Sequence, residues 1–492
     1  MRKEYDVIVI GAGPAGIFAC YELTRKAGGL NILLVDKGHD IYGRKCPILE
    51  KRISKCPQAG GRRDFDGKYP DRYSNIREYA ACYPACSVTS GFGGAGAYSD
   101  GKFNITSEFG GWMQEYIDSD LLTELIEYVD SINLEHGATR VITDPTTPKV
   151  KEIELRGLAA GLKLLRAKVR HLGTEHNFEI LRSIFEYLRT RVDMVYEKRA
   201  EDLIVEGDGR GGSAVRGVVI NGEGVRARAV IAAPGRDGSS WLTQMCGKYG
   251  VEMTNNQVDI GVRVETGNEI MEEINDNLYE GKFIFLARTG KLCRTFCSNP
   301  SGHVVVENDS GTMLANGHSY GDPKLGSGNT NFAVLVSHTF ADPFNQPNEY
   351  AHEVSRLANK LSCGSVLVQK YGDIMRGRRT NPSRLAKGFV KPTLREAVPG
   401  DLGLVFPYVT MKSIIEMIEA LNHVTPGIAS DHTLFYGVEA KFYSARPKLG
   451  GDFQTAVSGL YAGGDGAGLT RGLAQAGASG VWIARNILGS LK

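Results

Sequence analysis

Residues 6–10 (DVIVI), 11–16 (GAGPAG), 17–25 (IFACYELTR) and 31–36 (NILLVD) read in order as buried strand, glycine turn, helix, buried strand and terminal acid. Unbroken apolar runs of four residues, 7–10 and 32–35, suit parallel strands covered on both faces. In the turn Gly11-Ala12-Gly13-Pro14-Ala15-Gly16, the first glycine makes the tight bend. Gly13 lets backbone approach a pyrophosphate, and Gly16 lets helix and strand pack closely. The helix start offers free N–H groups and partial positive charge to phosphates. Asp36, followed by Lys37, stands where a carboxylate accepts hydrogen bonds from the ribose hydroxyls of an adenosine. The spacing from glycines to acid is the one this motif requires, so the unit predicts an adenine dinucleotide.

The rest of the composition narrows the class. At 492 residues the chain has room for two to four domains, with 42% hydrophobic and 23% charged residues. Its 61 glycines sit in turns rather than in a repeat, so disorder is not implied. A formal charge of +2 gives no overall electrostatic argument for nucleic acid or an anionic membrane. No run of eighteen apolar residues occurs, so no membrane span is expected. Glu4 and Asp6 interrupt any signal-peptide pattern, which makes the cytoplasm the expected location.

Beyond Asp36, residues 38–84 lose periodicity and form a long excursion. Residues 90–102 (SGFGGAGAYSDGK) make a second glycine-rich loop. Residues 110–134 and 151–171 are predicted mostly helical, and 174–191 amphipathic, with Phe178, Leu181, Phe185 and Leu188 on one face. Strands are predicted at 192–196, 202–206, 214–221 and 224–232. The last of these runs into Ala233-Pro234-Gly235. Residues 459–462 (GLYA) read as a strand leading to Gly463-Gly464-Asp465, and a helix closes the chain from about Leu473.

This order resembles the glutathione-reductase-type FAD superfamily, whose FAD domain is assembled from separated segments. The strings GGAGAYSDGK (93–102), AVIAAPGRDG (229–238), LFYGVEAKFYSARP (434–447) and GLYAGGDGAGLTRGLAQAGASG (459–480) further resemble a prokaryotic family of FAD-dependent dehydrogenases of unassigned substrate. The resemblance implies an α/β fold: a Rossmann-like FAD-binding domain with a parallel sheet, built from discontinuous segments, and an inserted α+β substrate domain. The expected boundaries are 1–110, 173–245 and 453–492 for the FAD domain, 111–172 for a helical segment and 246–452 for the substrate domain. Asp465 would lie on the flavin ribitol. Pro234 and Gly235 match the family's mid-chain turn. The helix start at Gly472 and Leu473 would face the flavin pyrimidine carbonyl, where a helix dipole stabilises negative charge.

Several further residues are candidates. Gly93, Gly94, Ala95 and Gly96 would line the flavin ring, with Ser99, Asp100 and Lys102 able to hydrogen-bond ring or substrate. The plainer alternative is a turn with a surface ion pair. Residues 233–240 (APGRDGSS) resemble the Asp-Gly segment of aromatic-ring hydroxylases, but a helix-capping turn is the preferred reading. Arg471, Tyr436 and His432 are candidate catalytic groups, Arg471 first among the charged ones. Arg376, Arg378 and Arg379 form a cluster suited to a carboxylate or phosphate, or simply a solvated loop.

Four cysteines, Cys46, Cys56, Cys82 and Cys86, fall within 41 residues. A thiolate quartet suits zinc or an iron–sulfur cluster, yet this spacing matches no standard signature. A redox pair such as Cys82 with Cys86, or plain thiols, are the alternatives.

The reading is therefore an FAD-dependent oxidoreductase moving a hydride between a small organic substrate and flavin N5. A single dinucleotide turn leaves no dedicated NAD(P)H domain, so electrons arrive or leave through substrate, a transient nicotinamide contact, a quinone or a small electron carrier, and a cluster at the four cysteines would favour a carrier such as ferredoxin. The alternatives are an NADPH-dependent monooxygenase and an RNA-modifying flavoprotein, the latter opposed by the near-neutral charge.

Overall fold

The computed structural model describes residues 1–47, 82–99, 101–209, 211–278, 280–309, 311–320 and 323–491. The chain divides into two compact units. The first comprises Met1–Thr143, Ala167–Thr254 and Ser444–Lys492, and the second Asp144–Arg166 and Asn255–Tyr443.

The first unit is organised around a seven-stranded sheet. Its parallel centre joins Asp193–Val195, Ile32–Val35, Glu4–Ile10 and Glu223–Ala232, with Val7 opposite Ile32 on one side and Ala229 on the other. Val7, Ile8 and Val9 are wholly buried, as strands covered on both faces require. The Glu223–Ala232 strand has a divided far edge. Its first part pairs antiparallel with Ser213–Ile220, and its last residues pair parallel with Leu460–Ala462. The C-terminal strand thus runs parallel to the N-terminal one, with Glu223–Ala232 between them. The helices that follow them, Pro14–Lys26 and Leu473–Ser490, approach so closely that a Cβ on Gly480 would lie 1.9 Å from the Ala15 carbonyl oxygen.

The second unit holds an eight-stranded, mostly antiparallel sheet. At its centre Val258–Gly267 lies between Asn329–His338 and Leu434–Lys441. Ile260, Val262 and Val264 share an apolar core with Ile414, Met417 and Ile418 of the Tyr408–Leu421 helix. The alternate residues Asp259, Arg263 and Glu265 are also buried, on the opposite face.

One segment departs from expectation. Residues 151–171 are not helical throughout. The Pro148–Ala159 helix stops, Gly161 takes a positive φ of 78°, and two strands follow at Leu162–Leu165 and Lys168–His171. Leu162 and Leu164 point inward while Lys163 is exposed, so the local period is two rather than 3.6. Leu162–Leu165 becomes the edge strand of the second unit's sheet against Lys282–Leu286, while Lys168–His171 pairs with Lys102–Ile105 in the first. Residues 111–172 are therefore not a helical segment of their own. Long-range pairing, invisible to local periodicity, divides them between the two units.

Candidate functional site

The site in the first unit is built where four stretches far apart in sequence meet. The turn after the first strand needs glycine at position 11, because φ is +102° and a Cβ would stand 2.1 Å from the Ala233 carbonyl oxygen. Contact with the mid-chain Ala233-Pro234-Gly235 turn thus forms through bare backbone. Gly466, beside Asp465, packs on that same turn, with room for a Cβ only 2.3 Å from Gly235 O. The glycine loop closes the group. Its Gly93 N–H donates to Ala12 O at 2.7 Å. A Cβ on Gly94 would be 3.0 Å from Gly13 Cα, and one on Gly96 would be 2.6 Å from Leu473 Cδ2. Residues 11–16, 93–98, 233–236 and 464–473 therefore form one assembly.

Parts of this assembly are open. No side chain caps the helix starting at Pro14, and none caps the helix starting at Leu473. The N–H groups of both first turns are thus available to an anion or carbonyl oxygen. A Cβ on Gly13 would meet only Gly94 Cα, at 4.0 Å, and one on Gly472 would meet nothing within 4 Å. In the first turn of the terminal helix, Gln475 is buried. Its Nε2 donates to Phe109 O at 3.1 Å while its Oε1 has no hydrogen-bond partner among the described residues. Two bare helix starts, glycines with space above them and an unanswered buried acceptor are what a dinucleotide with an attached flavin would meet. The residues present fit FAD.

The acids have distinct surroundings. Asp36 accepts from the N–H groups of Ala12 (2.8 Å), Gly38 (2.7 Å) and Gly91 (2.9 Å). A carboxylate has about four lone-pair positions, so this one ties three backbone strands together and keeps about one acceptor position for a ribose hydroxyl. Asp465 accepts from Thr470 Oγ1 at 2.6 Å, and Arg236 Nε lies 3.9 Å away. Burial pushes its carboxyl above the ordinary range, against the pull of Arg236 and Thr470.

Lys37 is held by Asp237 at 2.5 Å, and the same carboxylate accepts from Ser90 Oγ at 3.2 Å. Asp237 therefore does not cap the following helix, whose start at Ser239 has no side-chain cap. The capping reading of 233–240 is corrected accordingly: the acid links the mid-chain turn to Lys37 and the glycine loop. Ser99 closes its own loop, donating to Gly96 O at 2.8 Å and accepting from Gly101 N–H. Lys102 begins the strand paired with His171, and the Arg471 N–H donates to Gly110 O at 2.8 Å.

Arg44 was not singled out by the sequence reading. Its buried guanidinium donates to the carbonyls of Ser87 (2.9 Å), Val88 (3.1 Å) and Phe92 (2.6 Å), so it holds the stretch leading into Gly93. Burial lowers its pKa to about 10. The only sequence signal was a Gly-Arg-Lys run inside an aperiodic excursion, which looks like any solvated basic loop.

The remaining candidates lie on other segments. Tyr436 and His432 belong to the second unit. Tyr436 is fully buried, and its hydroxyl donates to Glu265, which also accepts from Asn329 Nδ2 (2.9 Å) and Thr393 Oγ1 (2.6 Å). Burial and the Glu265 charge raise the Tyr436 pKa well above the usual phenol value. A phenol so engaged is a core group. His432 stacks on the ring of Phe389 at 4.0 Å between centroids. Of the cysteines, Cys82 is buried and Cys46 and Cys86 are partly buried free thiols. Among the described residues, no group of three or more His, Cys, Asp or Glu is placed to hold a metal ion. Cys56 and Asp100 lie outside the described residues.

Comparison with known proteins agrees with this picture. Residues 257–442 match the family model described as FAD-dependent protein, C-terminal domain-like, and residues 9–45 match an NAD(P)-binding Rossmann-like domain. An uncharacterized protein of Clostridium beijerinckii is 26% identical over 98% of this chain and 80% of its own length. Among solved structures, glycine oxidase from Geobacillus kaustophilus aligns over 99% of this chain and 95% of its own at 11% identity, with a TM-score of 0.36. L-proline dehydrogenase from P. horikoshii covers 100% and 95% at 9% identity, with a TM-score of 0.37. Scores this low carry no argument. The family matches and the open cradle do: they identify FAD as the cofactor.

Proposed function

We propose that the protein oxidises or reduces a small organic molecule by two electrons and exchanges those electrons with a separate carrier rather than with a nicotinamide domain of its own. The observation that carries this reading is the union of four separated motifs in one cradle, beside a single G-x-G-x-x-G turn in a strand–helix setting. Bound FAD would supply the hydride chemistry at its N5 position.

The protein's residues have supporting tasks. The first turn of the Pro14–Lys26 helix would hold the pyrophosphate, with Asp36 on the ribose and Asp465 on the ribitol. The start of the Leu473–Ser490 helix would place partial positive charge at the flavin's carbonyl end. Arg471, immediately before that helix, and Lys102, beside the glycine loop, are the candidates for contact with an anionic substrate. Tyr436, engaged by Glu265, positions its own sheet and takes no part in proton transfer.

Anaerobic reduction of the FAD-loaded protein tests the reading. A panel of organic acids, amines and alcohols is mixed with it, and NADPH is added alone in parallel. Bleaching of the flavin bands by one of the organic compounds, with slow bleaching by NADPH, is expected. Rapid bleaching by NADPH, accelerated by an aromatic compound, would move the protein to the monooxygenases.

A further inference from the structure

Two stretches of the chain are strongly basic, residues 44–63 and residues 370–395. Residues 370–395 contain eight Lys and Arg against one acid, Asp373, a formal +7 in a chain whose total is +2. The remaining residues therefore sum to −5. The second unit folds this segment into a braced surface. Asp373, itself buried, accepts from Thr380 (2.7 Å), Arg378 (2.7 Å) and Arg384 (3.2 Å), and these bonds hold its carboxyl below the usual range despite burial. Arg376 pairs with Asp431 at 2.6 Å.

Five cations are left over. Lys370, Arg379, Lys387, Lys391 and Arg395 have no carboxylate within 4 Å among the described residues. Amid them stands Phe389, 83% exposed, its ring seated on His432 and its N–H on the His432 Nδ1. Met375, half exposed, belongs to the same segment. Interfaces favour aromatic and arginine anchors, and this surface presents both.

We infer that this face docks an acidic protein, and specifically the one-electron carrier that serves the flavin. The inference rests on the function proposed above, which needs an external electron partner. One aromatic ring is a poor platform for the successive bases of a nucleic acid. A compact acidic protein covers the patch alone. Carrier encounters of this kind are small, fast and steered by charge. The electron count closes. A substrate losing two electrons and two protons reduces two carrier molecules by one electron each, and two protons pass to solvent.

The test uses the full FAD-loaded chain, reduced photochemically and mixed anaerobically with oxidised [2Fe–2S] ferredoxin or oxidised flavodoxin, both acidic. Binding to the flavin-free and flavin-loaded chain is measured by calorimetry in parallel. For at least one of the two carriers, the second-order rate should fall on the order of tenfold or more as salt rises from low to moderate strength, and by a similar factor in R379E/K387E. R379K/K387R should retain the rate. Photochemical reduction of the flavin should be equal in all variants. The salt profile of the unaltered protein stands even if the charge-reversed variant folds poorly. The inference is overturned if both carriers react at rates independent of salt and of the patch, or if a single-stranded RNA of twenty nucleotides binds the patch more tightly than either carrier. Failure to take up FAD would remove the proposed function instead, while the calorimetric binding of the carriers would still judge the patch.

Discussion

The two units differ in what meets at their centres, bare backbone in the first and side chains in the second. In the first, the segments that meet leave helix starts uncapped, glycines with space above them and the buried Gln475 Oε1 unanswered among the described residues. In the second, buried charge is answered from within the sheet, as Glu265 is by Tyr436, Asn329 and Thr393. Exceptions remain there, with one polar atom each of Arg156, Arg263, Arg294, Asn331 and Asn348 lacking a hydrogen-bond partner among the described residues, and both carboxylate oxygens of Glu439. Glu439 lies 3.1 Å from Lys441 and 3.6 Å from Arg263, with neither pair in hydrogen-bonding geometry. Open polar atoms beside bare backbone mark a surface shaped for something other than protein. Polar atoms engaged by side chains mark a core. Substitutions in the second unit should therefore cost stability, and those in the first should cost flavin.

The largest effect is expected at Arg263. It is wholly buried, donates to Asn331 Oδ1 (2.8 Å) and Cys297 O (2.7 Å), and faces Glu439. Arg263→Met removes one partner of a buried ion pair and should destabilise the protein by about 3–5 kcal/mol in denaturant titrations. Tyr436→Phe comes next. It withdraws one of the donors to Glu265 and should cost about 1–3 kcal/mol without changing the pH dependence of turnover. A displaced pH profile would return Tyr436 to the catalytic group and break the contrast.

Gly13→Ala runs the other way. Its φ of −78° suits alanine and its Cβ would meet nothing nearer than 4.0 Å, so the flavin-free protein should keep or gain roughly 0.4–1 kcal/mol. FAD retention through gel filtration should nevertheless fall, because the methyl group occupies the approach to the pyrophosphate. Unchanged retention would mean that the cradle is only a packing turn.

The smallest effect sharpens the comparison through pH. Since burial raises the Asp465 carboxyl, its contribution to stability is full below the ordinary carboxylate value of 3.8 and is lost as pH rises toward its raised value. Asp465→Asn should raise the melting temperature of the flavin-free protein at pH 7, with the gain vanishing near pH 3.5, and should weaken FAD uptake. A gain of equal size at both pH values would contradict a raised carboxyl.

How much of this was legible depended on the range of the interactions. The first strand, its glycine turn, the mid-chain strand and the terminal helix announce themselves through contiguous residues, and the structure places them within a few positions of expectation. Their convergence was legible only through resemblance, because nothing local says that Gly466 packs on Gly235. The strands at Leu162–Leu165 and Lys168–His171 were lost to a helical reading, since their partners lie about 120 and 65 residues away. Tyr436 looked like a proton donor because a sequence shows a hydroxyl but not the Glu265 that takes it. Arg44 passed unnoticed for the converse reason: its partners are backbone carbonyls, which carry no sequence signature.

The most direct test of the central claim is the absorption spectrum of anaerobically purified protein before and after dithionite, with flavin, iron and zinc assayed on the same sample. The account predicts two bleachable flavin bands and about one FAD released per chain on denaturation. Iron or zinc in the assay would assign Cys46, Cys56, Cys82 and Cys86 a ligand role beside it. A colourless protein that takes up no FAD on reconstitution would contradict the account at its root.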